Sequence, residues 1–62
     1  MDFAPLVKRI LREHGCEFVR EGKGDHSIWK GPNGQRFPVD SKIKSRHTAN
    51  GIMKQAGIDH HF

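Results

Sequence analysis

These 62 residues predict an α+β fold of order α-β-β-β-α, a three-stranded antiparallel sheet with two helices on one face. Three observations carry that expectation. Apolar residues at helical spacing open the chain, a second such stripe closes it, and three short runs of β-formers, set apart by glycine turns, lie between. The whole length, residues 1–62, is expected to be one domain, because a chain this short supports a single marginal core.

The first helix rests on Phe3, Leu6, Val7, Ile10 and Leu11, which fall at i, i+3, i+4, i+7 and i+8 and line one helical face. Asp2 is placed to cap its start, Pro5 is tolerated in the first turn, and Gly15 ends it. The strands are expected at residues 16–20, 26–30 and 35–39. Gly22 to Asp25 and Gly31-Pro32-Asn33-Gly34 form the turns between them. Pro38 cannot donate to a ladder, so the third strand belongs at an edge and the second at the centre.

Side chains alternate along the second strand, so Ser27 and Trp29 share one side and His26 and Ile28 the other. Trp29 is the larger apolar group and is assigned to the helices, which puts His26 on the open side. A basic loop, Asp40-Ser41-Lys42-Ile43-Lys44, leads to a second helix from about Ser45 to Gly57. Ala49, Ile52, Met53 and Ala56 supply its stripe, and Gly51 weakens it. The tail from Ile58 to Phe62 is expected to be loosely held.

Charge narrows the function classes. Eleven Lys and Arg against seven Asp and Glu give +4, which points to an anionic partner. No apolar run approaches the roughly 18 residues of a spanning helix, and Met1-Asp2-Phe3 does not read as a signal peptide, so no membrane partner is expected. A lone Cys16 fits a core position in a reducing, cytoplasmic setting. The seven carboxylates are scattered and the cysteine is single, so neither a metal site nor a cofactor is expected.

The run Gly22-Lys23-Gly24-Asp25-His26 is the sharpest local feature. It delivers one imidazole on a mobile backbone into a cationic neighbourhood, which suits work on a phosphodiester: imidazole titrates near neutrality and cations hold anionic oxygens. Taken alone, the run also fits a hairpin loop followed by an ordinary surface histidine.

Over nearly its whole length the chain resembles the HicA toxins of bacterial and archaeal toxin–antitoxin systems. The resemblance rests on the helix from Leu6 to Glu13 running into Gly15, on Glu17-Phe18-Val19-Arg20, and on the Gly24-x-His26 loop ahead of Trp29. It continues through Pro38-Val39 and a closing helix with Thr48 and Ile52-Met53-Lys54-Gln55-Ala56-Gly57. The chain departs from the usual Gly-Ser-His loop at Asp25, has Ser27 where a second histidine is common, and has Cys16 where tryptophan is common.

The resemblance implies a double-stranded-RNA-binding-domain-like fold and a small ribonuclease that cleaves mRNA with relaxed sequence preference and is silenced by a HicB-type antitoxin. It maps the catalytic histidine onto His26 and the loop glycine onto Gly24. RNA carries its own nucleophile, the 2′-hydroxyl, so a proton-transfer group and charge stabilisation suffice. Lys23, Gly24, Lys30, Arg36, Lys42 and Lys44 are the expected RNA contacts, with Arg46 extending the track and His47 the nearest second proton-transfer group. The competing readings are a non-catalytic double-stranded RNA-binding module, for which His26 is dispensable, and an adaptor for an acidic protein.

Overall fold

The computed structural model describes residues 2–62; Met1, cited above with the segment 1–3, lies outside them. The elements run α1 (Ala4–Glu13), β1 (Glu17–Glu21), β2 (His26–Lys30), β3 (Arg36–Asp40) and α2 (Arg46–Gln55). The sheet is antiparallel with β2 in the middle and β3 at an edge, as Pro38 requires. Strands β1 and β3 each lie one residue further along than the sequence pattern suggests, and Ser45 caps α2 instead of opening it, its Oγ accepting the His47 backbone N–H at 3.1 Å.

One sheet face carries the core. Trp29 is 1% exposed, and with Phe37 and Val39 it meets Val7 and Leu11 of α1 and Ala49, Ile52 and Met53 of α2 in a single cluster. Both helices therefore cover the same face, and the opposite face, with His26 and Pro38, is open to solvent. Trp29 can be buried because its indole N–H donates to Ser27 Oγ at 3.0 Å and that hydroxyl donates to the Val39 carbonyl at 3.3 Å. Cys16 is buried as expected, and that burial pushes its thiol above the usual value, which suits a packing role.

Asp2 ties the two ends of the helical layer together. Its Oδ1 accepts the Ala4 N–H at 3.0 Å and the Ile43 N–H at 2.9 Å. Those two bonds, the one from Ile43 first, hold its carboxyl below the usual carboxylate range, with Lys44 and Lys42 adding to the effect. The loop before α2 is further anchored by Ile43, which is fully buried.

The tail corrects the expectation of a loose end. Ile58 is buried, the Phe62 N–H donates to Asn50 Oδ1 at 2.7 Å, and the Phe62 ring meets Phe3 edge-on at 5.5 Å. A 62-residue chain has little apolar surface to spare, so its last aromatic closes the gap beside α1.

Candidate active site

The β1–β2 hairpin delivers His26. The Gly22 N–H donates to the His26 carbonyl at 2.9 Å, and the His26 N–H to the Lys23 carbonyl at 3.3 Å. Two glycines permit this closure for different reasons. A Cβ at Gly22 meets the His26 carbonyl oxygen at 3.3 Å, and Gly24 sits at φ +62°, a conformation that L side chains rarely adopt. The Ser41 N–H donates to the Asp25 carbonyl at 2.7 Å and pins the loop to the end of β3.

The antiparallel register pairs His26 directly with Asp40, on the open face. The His26 Nδ1 and Asp40 Oδ1 atoms lie 2.6 Å apart, with side chains 51% and 39% exposed. A carboxylate on Nδ1 favours the tautomer with its proton there, leaving the Nε2 lone pair toward solvent. That is the form in which an imidazole can accept a proton from a substrate hydroxyl.

Asp40 escaped the sequence reading, which placed it in the basic loop. A signal was present: Phe37 and Val39 point inward, so a strand extended by one residue puts Asp40 outward, on the face given to His26. The hairpin register that sets the two opposite each other has no comparable mark in the sequence.

Five of the six expected RNA contacts divide into two groups. Lys23 and Gly24 belong to the loop that carries His26, and Lys42 follows Asp40 by two residues, so these three gather at the His26 end of the sheet. Lys44 and Lys42 both lie close enough to Asp2 to act on its charge. Lys30 and Arg36 face each other at the opposite end, about 13 Å away at roughly 3.3 Å per strand residue. Lys30 is also paired with Glu17 at 3.3 Å. His47 is exposed in the first turn of α2. No cluster of three or more His, Cys, Asp or Glu with metal-holding geometry occurs among the described residues.

The model of the HicA toxin of bacterial toxin–antitoxin systems matches residues 6–58. The chain belongs to the HicA toxin family. It is thus the toxin component of a toxin–antitoxin system, and the match spans α1, the His26 hairpin, β3 and α2. No curated protein and no solved structure matches it. Among the described residues no helix of this HicA-family chain is long and apolar enough to cross a membrane.

Proposed function

We propose that this HicA-family toxin is a metal-independent endoribonuclease of the cytoplasm that cleaves mRNA through His26 and is neutralised by a HicB-type antitoxin. The observation that carries the reading is the His26–Asp40 pair at 2.6 Å on an open, cation-bordered face. Family membership supports the toxin role.

In the proposed reaction Nε2 of His26 takes the proton of an RNA 2′-hydroxyl while the O2′–P bond forms and the P–O5′ bond breaks. The products are a 2′,3′-cyclic phosphate and a 5′-hydroxyl, whose oxygen takes its proton from solvent reaching the open face. Asp40 holds the imidazole in the accepting tautomer and stabilises the imidazolium that forms. Lys23 and Lys42 offset the charge that builds on the phosphorane oxygens. Lys30 and Arg36, too distant for the reacting phosphate, track the strand beyond it.

An antitoxin that silences this site has to cover His26, and an acidic surface complements the lysines around it. The test is tightly controlled induction of wild type and of His26→Ala at equal folded levels, scoring growth and RNA integrity. Growth arrest with RNA loss in the wild type alone is the expected result. Equal toxicity of the two overturns the His26 mechanism, and salt-sensitive RNA binding without cleavage favours a binding module instead.

A further inference from the structure

A concavity opens on the helix side of the same hairpin, and His26 is among the residues that line it. It is a cleft of about 270 Å³, lined by Lys8 and Arg12 of α1, Phe18 and Glu21 of β1, and Asp25 of the loop. Its floor is aromatic. Phe18 meets Trp29 edge-on at 6.2 Å, and the Arg12 guanidinium lies 5.3 Å from the centre of the Trp29 ring. Phe18 remains 49% exposed, an unusual position for a phenylalanine in so small a protein.

A β-bulge builds this cleft. Phe18 opposes Trp29 and Arg20 opposes Ile28, so two steps on β1 match one on β2 and the register shifts at Val19. Glu21 consequently pairs with Ser27, on the same face as Phe18 and Trp29. Without the bulge, strict alternation sends Glu21 to the open face and Arg20 to the cleft. The irregularity thus exchanges a cation for a carboxylate beside the exposed ring.

We propose that this cleft holds the nucleobase next to the bond cut at His26, and that it selects bases carrying an exocyclic amino group over uracil. The inference rests on the ribonuclease reading. The hairpin loop that carries His26 also forms one wall of the cleft, so a strand crossing the loop reaches both. The volume falls below the roughly 300 Å³ of ordinary small-molecule sites and suits a single base. Phe18 supplies a stacking surface, which every base can use.

Discrimination comes from the carboxylates. Adenine, cytosine and guanine each present an amino group that donates to Glu21 or Asp25. Uracil flanks its single ring N–H with carbonyl oxygens, which the same carboxylates repel. Lys8 and Arg12, one helical turn apart on one side of α1, offset the charge of the adjoining phosphate.

The test uses the four nucleoside 5′-monophosphates as probes, titrated into the ¹⁵N-labelled full chain, with the Trp29 indole N–H signal as the reporter. AMP, CMP and GMP are expected to shift it, and UMP to bind several-fold more weakly. Phe18→Ala is expected to weaken binding about 5- to 150-fold, the range of one lost base–aromatic stack, and Phe18→Trp to retain it. Glu21→Gln is expected to narrow the gap between UMP and CMP, and Glu21→Gln combined with Asp25→Asn to close it.

Equal binding of UMP and CMP to the wild type, unaltered binding by Phe18→Ala, or no response to any nucleotide at millimolar concentration overturns the inference. The last result leaves the cleft to a protein partner. Failure of the ribonuclease reading has a separate signature: the nucleotides bind as stated, but the wild type leaves RNA intact.

Discussion

Replacing Asp40 by Asn isolates what the carboxylate does for His26, because it keeps the shape of the side chain and removes only the charge and one acceptor. In the native pair Asp40 Oδ1 lies 2.6 Å from His26 Nδ1. The amide of Asn can turn its NH₂ toward Nδ1 and stabilise the opposite tautomer, which puts the proton on Nε2 and removes the proton acceptor. In a fully buried triad the equivalent change costs about 10⁴-fold in kcat. Here both side chains are 39–51% exposed, so water competes for each partner and an interaction of about 1–2 kcal/mol is the appropriate scale.

The expected result is a loss of roughly 10-fold in the cleavage rate, smaller than for His26→Ala. The change should fall on kcat with KM held, because the proposed phosphate contacts are untouched. The assay is steady-state cleavage of a short fluorescent RNA, paired with ¹⁵N NMR of the His26 ring to read its tautomer. Stability should change by less than about 1 kcal/mol, as for other exposed pairs. Wild-type kcat in Asp40→Asn, or a tautomer unaltered by the substitution, refutes the positioning role.

Three further outcomes follow from the packing. Gly51→Ala is expected to stabilise the chain by about 0.5–1 kcal/mol in thermal or urea unfolding, since a Cβ at this helical position meets nothing within 4 Å. Phe62→Ala should destabilise by about 1 kcal/mol, through loss of its contact with Phe3, and a truly loose tail predicts no change. Asp2→Asn should be less stable than wild type at neutral pH, and the gap should close on acidification. The folded carboxyl of Asp2 lies below its unfolded value of about 4, so its contribution is present above that pH and is lost as pH falls through the folded value. A gap that widens in acid contradicts the two hydrogen bonds assigned to it.

What the sequence disclosed, and what it hid, has a common physical basis. The helical stripes and the inward assignment of Trp29 were legible because burial imposes periods of 3.6 and 2 on a chain, and His26 outward followed from Trp29 inward. The edge position of β3 was legible because Pro38 lacks a donor. Properties of pairs of segments were not. The register opposing Asp40 to His26, the bulge at Val19 that turns Glu21 over, and the docking of Phe62 beside Phe3 depend on how two stretches meet. The separation of Lys30 and Arg36 from His26 belongs to the same class: a list of basic residues carries no distances.

The most direct measurement incubates purified wild type and His26→Ala with a defined RNA in the presence of a metal chelator and identifies the product ends by mass spectrometry. The account predicts fragments ending in a 2′,3′-cyclic phosphate and starting with a 5′-hydroxyl from the wild type, and intact RNA from the variant. Cleavage by folded His26→Ala at the wild-type rate, or wild-type products that carry a 5′-phosphate, would contradict it.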